Sequence, residues 1–167
     1  MKTIFLLRHA KSDWGAGYDG DHERPLNDRG RKAAALIGDY LAGLGELPDR
    51  VLSSSAVRAR ETIGLAAASG RWPCPVDTTP ELYDTSPDLV LQVIQRQDDS
   101  FHSLLLVGHQ PTWSMLLDGL VGGAEVKMPT AALVRIDVPV ERWRDVEYGS
   151  ASLRWHVTPR QLGRGKS

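Results

Sequence analysis

The sequence predicts an α/β fold: a single-domain, three-layer α/β/α sandwich around a mixed, mostly parallel central sheet. Three observations carry that prediction. Short apolar runs alternate along the chain with longer segments of helical period, the order in which helices come to cover both faces of a parallel sheet. Two late runs alternate apolar and polar residues with a period of two, which makes the sheet mixed. With 167 residues, 41% hydrophobic and 25% charged, the chain suits one globular domain and not a disordered or fibrous one.

Each element has its own signal. Thr3 to Leu7 is apolar and stops at a polar cluster, as a buried strand does. From Asp28, the residues Ala33, Ile37, Tyr40, Leu41 and Leu44 recur at helical spacing until Gly43 and Gly45 close the segment. Arg50 to Ser54 reads as a second strand. Ala56 to Ala68 is rich in good helix formers, ends at Gly70 and leads into the proline-rich connection Trp72 to Pro75. Val76 to Thr79 is a short strand. Ser86 offers an N-cap before the first-turn Pro87, and Leu89, Val93 and Ile94 mark the helix behind it. Ser103 to Val107 is a third strong strand. Pro111 to Val121 reads as a helix burying Trp113, Leu116, Leu117 and Leu120. Ala131 to Val138 and Ser152 to Val157 are the late period-two runs, strands with one wetter face. The domain is read as residues 1–158. Residues 159–167, basic and glycine-containing, read as a frayed tail in which Arg160, Arg164 and Lys166 solubilise the end in preference to docking an acidic partner.

Composition excludes several functions. Twenty Lys and Arg against 21 Asp and Glu leave a net charge of −1, which removes the electrostatic case for a general nucleic-acid binder. The single cysteine, Cys74, excludes an intrachain disulfide or a cysteine-rich metal site and reads as a small turn residue between Pro73 and Pro75. The apolar run Ile4 to Leu7 is too short for a signal peptide, and no later run approaches a membrane span, so the expected address is the cytoplasm, away from membranes.

Ligands of open α/β sheets bind outside the carboxyl ends of the strands. Here those ends carry Arg8-His9-Ala10-Lys11-Ser12-Asp13-Trp14, then Ser53-Ser54-Ser55 with Arg58-Ala59-Arg60-Glu61-Thr62 opening a helix, then Gly108-His109-Gln110-Pro111. If the strands are neighbours, Arg8, Arg58, His9 and His109 converge. Guanidinium groups present planar forks of donors that match phosphoryl oxygens. Helix N-termini near Ser55 and Pro111 add partial positive charge. A histidine pressed among cations is expected to be neutral, hence a nucleophile for covalent phosphoryl transfer.

Leu7-Arg8-His9-Ala10-Lys11-Ser12, Arg24-Pro25-Leu26 with Gly30, Ser53 through Arg58-Ala59-Arg60-Glu61-Thr62, Glu81-Leu82-Tyr83 and Gly108-His109-Gln110-Pro111 resemble, in order, the blocks of the histidine phosphatase superfamily. With Asp13 and Trp14, the first block resembles the short SixA-type phosphohistidine phosphatases. The resemblance covers residues 3 to about 115. It implies a phosphoglycerate mutase-like fold, with His9 as the phosphorylated nucleophile, Arg8 and Arg58 binding the transferring phosphoryl group and His109 completing the pocket. It also implies a polar rim contact at Ser12 and a general acid at Glu81. Ala10 departs from the glycine of the most familiar motif. Gly15 replaces the asparagine of the mutases, which weighs against mutase activity.

Between Asp84 and Gly108 lie 23 residues, nearly all used by one helix and one strand, so no helical cap encloses a small metabolite. The expected function is metal-independent phosphatase action through phospho-His9, on phosphohistidine in proteins. The alternatives are a phosphatase of small or nucleotide-linked phosphate esters and, from another class, a non-catalytic phosphoprotein-binding module. An ester leaving group needs protonation whereas an imidazole leaves as a neutral base, so Glu81 should matter more for an ester. No cofactor or metal is expected, because arginines beside both histidines repel a dication. The expected partners are a phosphorylated protein or small phosphate ester, with phosphate in the pocket and the chain a monomer. Arg24 and Arg60 read as rim ion-pair partners of Asp21 or Glu61, with a second reading in which Arg24 orients the loop over the pocket; His22 reads as a solvated surface residue, and His102 and His156 as structural. Trp14 either covers the pocket edge or staples its loop, and Trp113, Trp143 and Trp155 pack. Ser53 to Ser55 lacks the Gly-x-Ser-x-Gly elbow of a serine hydrolase.

Overall fold

The computed structural model describes residues 1–164. Its six strands are β1 (Lys2–Arg8), β2 (Arg50–Ser54), β3 (Val76–Thr79), β4 (Ser103–Gly108), β5 (Leu133–Val138) and β6 (Ser152–Val157). They form one sheet in the order β3-β2-β4-β1-β5-β6. The first four run parallel, β5 runs antiparallel to β1, and β6 antiparallel to β5. Central β1 and β4 are apolar on both faces because both are covered. Ile4, Leu6, Leu104 and Leu106 enter one core, and Phe5, Leu7, Leu105 and Val107 the other.

Helices α1 (Asp28–Leu44) and α2 (Val57–Gly70) cover one face, and α3 (Pro87–Gln95) and α4 (Thr112–Val121) the other. Asn27 caps α1 by accepting the Gly30 N–H at 2.8 Å, and Ser86 caps α3 as its sequence indicates. The buried stripe of α1 is Gly30, Ala34, Ile37, Gly38 and Leu41, whereas Leu44, expected inside, lies exposed. Between β3 and β4 the chain makes only a 3₁₀ turn, Pro80–Leu82, and α3.

The structure departs from the sequence reading in two segments. β5 starts at Leu133 because Ala131 takes a left-handed backbone, φ 61°, that no strand continues through. Its polar side chains are not wet: Asp137 is buried, accepting from Thr3 and pairing with Arg135 and Arg154. At the other end, Pro159–Arg164 is a short helix, α5, where a frayed tail was expected. Thr158 and Gln161 cap each other reciprocally, Pro159 occupies the first turn, and Leu162 packs against the α1–α2 core. Lys166 lies outside the described residues. Cys74 is half-buried and unpaired, and burial raises its thiol pKa. Among the described residues no helix is long and apolar enough to cross a membrane.

Candidate active site

Strand register brings the three polar ends together, since Arg8 pairs with Gly108 and Ser53 with Val107. His9 is clamped at the junction: its N–H donates to Gly108 at 3.0 Å, and its carbonyl accepts from Ala131 at 3.0 Å. The following loop is tied to two helices. Ala10 N–H donates to the Thr62 hydroxyl at 2.9 Å, and that hydroxyl donates to the Arg58 carbonyl at 2.7 Å, coupling the His9 loop to the first turns of α2. On the other side α1 abuts the backbone of Lys11. A Cβ at Gly30 would fall 2.1 Å from the Lys11 carbonyl oxygen, so the approach demands glycine.

The strand ends surround an open cleft of about 340 Å³. Of the residues singled out in the sequence, Arg8, His9, Ser12, Arg58 and His109 line it. Lys11, Arg24, Trp14, Gln110 and Thr130 complete the wall. The two histidine rings lie 5.3 Å apart between centroids. Four cations face the cleft and no carboxylate does.

Local bonds assign the tautomers. Nδ1 of His9 lies 2.7 Å from the Ala10 carbonyl oxygen, which only accepts, so Nδ1 carries the proton and Nε2 keeps its lone pair. Burial, reinforced by His109, Arg58 and Arg8, lowers the His9 pKa to about 3. Burial and then Arg58 lower that of His109 to about 4. Both rings are therefore neutral at neutral pH, as expected from the sequence, although desolvation outweighs the neighbouring cations as the cause. Nε2 of His109 lies 2.7 Å from Ser54 Oγ, which also accepts the Ala56 N–H at 3.2 Å. The Ser54 proton is thus free to go to Nε2, leaving His109 Nδ1 as an N–H donor.

Among the described residues six buried side-chain N or O atoms have no hydrogen-bond partner, and three of them are Arg8 Nε, Arg58 Nε and His109 Nδ1. An unpaired buried donor costs about 1–3 kcal/mol. All three residues line the cleft with His9, so donor capacity that the protein itself leaves unused is concentrated around it, a setting that suits an anion with several acceptor oxygens.

Sequence reasoning missed what orients these groups. Asp21, on the 3₁₀ turn Asp21–Glu23, accepts from Arg58 Nη2 at 2.9 Å, from Tyr83 Oη at 2.8 Å and from Arg24. Its carbonyl accepts from Arg58 Nη1 at 2.7 Å. Against the upward push of burial, the bonds from Tyr83, Arg58 and Arg24 hold the Asp21 carboxyl well below the usual carboxylate range. Arg58 is thereby gripped by its terminal nitrogens. Arg8 is held in the same way by the Met128 carbonyl, at 3.0 Å from Nη1. Neither contact carries a local signal, since Ser54 and His109 lie 55 residues apart and Asp21 and Arg58 lie 37 apart.

Four other expectations change. Arg24 does pair with Asp21, but it is buried instead of rim-exposed, with Nε donating to Ser12 Oγ at 2.9 Å. Its guanidinium stacks 3.6 Å from the ring centroid of exposed Trp14, which joins the stapling and edge-forming roles in one side chain. Arg60 makes no ion pair with Glu61; its Nε donates to the Ser55 carbonyl at 2.8 Å. His22 is fixed 2.9 Å from Ser55 Oγ and edge-on to Tyr83, not merely solvated. Glu81 is not brought to the cleft. Its exposed carboxylate accepts from Arg96 at 2.6 Å, and Arg96 holds its pKa down. Asp84, on the same loop, lines an adjoining depression with His109. The described residues contain no group of three or more His, Cys, Asp or Glu able to hold a metal ion.

Comparison with known proteins gives a consistent picture. The family model of the histidine phosphatase superfamily (branch 1) matches residues 4–97. An uncharacterized protein of Mycobacterium tuberculosis is 35% identical over 164 residues, covering 92% of this chain and 100% of the relative. The phosphohistidine phosphatase SixA of Escherichia coli is 25% identical, covering 98% of each chain. The crystal structure of SixA from Agrobacterium tumefaciens is 28% identical, covers 95% of this chain and 98% of its own, and superposes with a TM-score of 0.80. A SixA complexed with tungstate shares the fold, with a TM-score of 0.82 over 96% of this chain and 99% of its own, at 24% identity.

Proposed function

The chain belongs to the histidine phosphatase superfamily and is a phosphatase, and on that premise we propose that it hydrolyses phosphohistidine in proteins through a phosphoenzyme on His9. The observation that carries the reading is the set of unpartnered donors, Arg8 Nε, Arg58 Nε and His109 Nδ1, around a neutral His9 whose Nε2 bears the lone pair. Nε2 attacks phosphorus in line while Arg8, Arg58 and His109 hold the equatorial oxygens, where charge is greatest. The substrate P–N bond breaks and the departing imidazole, still protonated on its other nitrogen, leaves neutral. His9 is then substituted on both nitrogens and carries positive charge, which the Ala10 carbonyl stabilises at Nδ1. Water attacks the phosphoenzyme, the P–Nε2 bond breaks, and both protons of the water leave in dihydrogen phosphate. Neither step requires a general acid.

An ester is less well served. An alkoxide or aryloxide needs a proton as it leaves, and no carboxyl group lines the cleft. The similarity to the Escherichia coli phosphohistidine phosphatase over nearly the whole chain supports the same preference. The deciding measurement is phosphate release from a phosphohistidine-bearing protein and from an aryl phosphate, side by side in chelator. The expected result is faster release from the phosphohistidine, lost in His9→Ala by about 10³-fold or more. Release from the aryl ester alone would move the substrate to small molecules. Turnover retained in His9→Ala would overturn the mechanism.

A further inference from the structure

Beside the cleft runs a second, larger groove of about 740 Å³ that the chemistry above does not use. One wall is a single stripe of α1, Arg29, Lys32, Ala33 and Leu36, at the i, i+3, i+4, i+7 spacing of one helical face. The opposite wall is the start of α5 with Pro159 and Arg160, and the end next to the cleft is Lys11 with Thr130. Lys11 and Thr130 line both hollows, so the groove opens directly onto the His9 cleft.

Its charge is one-sided. Lys11, Arg29, Lys32 and Arg160 line it and no Asp or Glu does. Among the described residues none of these four makes an ion pair. Arg31, the nearby arginine of α1 that does, pairs with Asp28 and does not line the groove. In a chain of net charge −1, an unbalanced concentration of cations beside the site attracts and orients anionic partners. The apolar part of the lining is Ala33, Leu36 and Pro129, and no aromatic side chain among the lining residues offers a stacking platform for nucleic-acid bases. Acidic side chains alternating with apolar ones fit such a surface; a phosphodiester backbone uses only its charges.

We infer that this groove is a substrate-docking surface for an acidic polypeptide segment flanking the phosphorylated residue, so that charge in the flank selects the protein whose phosphoryl group enters the His9 cleft. The inference rests on the protein-phosphohistidine reading for its catalytic consequence but not for the binding event itself. Arg160 therefore belongs to a recognition surface instead of a solubilising end.

The test uses Arg29→Glu/Lys32→Glu, two exposed positions outside the cleft, and separately Arg160→Gln in case the double reversal disturbs α1. The first probe is a fluorescent, unphosphorylated Asp/Glu-rich peptide followed by anisotropy. It should bind the intact protein, weaken with salt, and lose about tenfold or more in affinity in the double variant. The second is a phosphohistidine peptide with acidic flanks and its Asn/Gln-flanked counterpart. The acidic one should be favoured about tenfold in kcat/KM, carried by KM, and the variants should erase that preference while leaving aryl phosphate hydrolysis unchanged. Equal kcat/KM for the two peptides in the intact protein would overturn the inference. So would a preference untouched by the variants, or an oligonucleotide that displaces the acidic peptide at lower concentration than the peptide itself binds. Acidic-peptide binding lost in the variants, with no phosphohistidine hydrolysed by any form, would sustain the groove and reject the catalytic reading.

Discussion

The His9 cleft and the α1–α5 groove are neighbouring cationic hollows that share Lys11 and Thr130, yet their charges are held in opposite ways. In the cleft, Arg58 and Arg24 are buried, and Arg58, Arg24 and Arg8 are fixed by Asp21, Ser12 and the Met128 carbonyl. In the groove, Lys11, Arg29, Lys32 and Arg160 are exposed and unpaired among the described residues. A fixed, desolvated charge acts strongly on one position and suits a transition state. A solvated charge on a flexible stem acts weakly on any nearby anion, which suits recognition. The same residue types therefore act differently on an anion according to burial.

The largest expected effect that sharpens this contrast is Arg58→Lys. A lysine keeps the charge but not the planar fork whose two terminal nitrogens both reach Asp21. We expect kcat/KM on phosphohistidine to fall by about 10²-fold, against a change within about twofold for Arg29→Lys in the groove. Equal losses at the two positions would erase the distinction.

Next comes pH. The unfolded chain protonates His9 and His109 near the ordinary value of 6.5, whereas the folded cleft resists protonation down to about 3 and about 4. Between those values the unfolded state binds more protons. The stability due to neutral histidines is thus complete above about pH 6.5 and declines as pH falls, by up to about 1.4 kcal/mol per pH unit for each ring. Urea midpoints between pH 7 and 4.5 should fall less steeply in His109→Gln than in the parent. Parallel slopes would show that the ring is not buried neutral.

The smallest expected effect is Glu81→Gln. Because the Glu81 carboxylate sits exposed against Arg96, phosphate release from both the aryl ester and the phosphohistidine should change by less than about twofold. A selective loss on the ester would restore the general acid expected from the sequence.

Much of the fold was legible because it is written locally. Continuous apolar runs at residues 4–7 and 104–107 report strands covered on both faces, and Ser86-Pro87 reports a helix start, whatever the rest of the chain does. The α5 start was equally local: Thr158, Pro159 and Gln161 form a capping signature that its basic, glycine-containing composition obscured. Ala131 was not legible, because a left-handed alanine depends on the turn that closes over His9.

The site divides along the same line. His9, Arg8, Arg58 and His109 stand at strand ends or in the first turn of a helix, so residue type and local period placed them in one cleft. The sequence by itself thus determined the sheet and the arginines and histidines presented at its edge. Tertiary structure alone decided which donors remain unpaired, that Ser54 sets the hydrogen of His109, that Asp21 grips Arg58, and that Glu81 turns away to Arg96. The reason is physical. Strand period and helix capping depend on neighbours a few residues apart, whereas the state of a buried charge is set by whatever the fold packs against it.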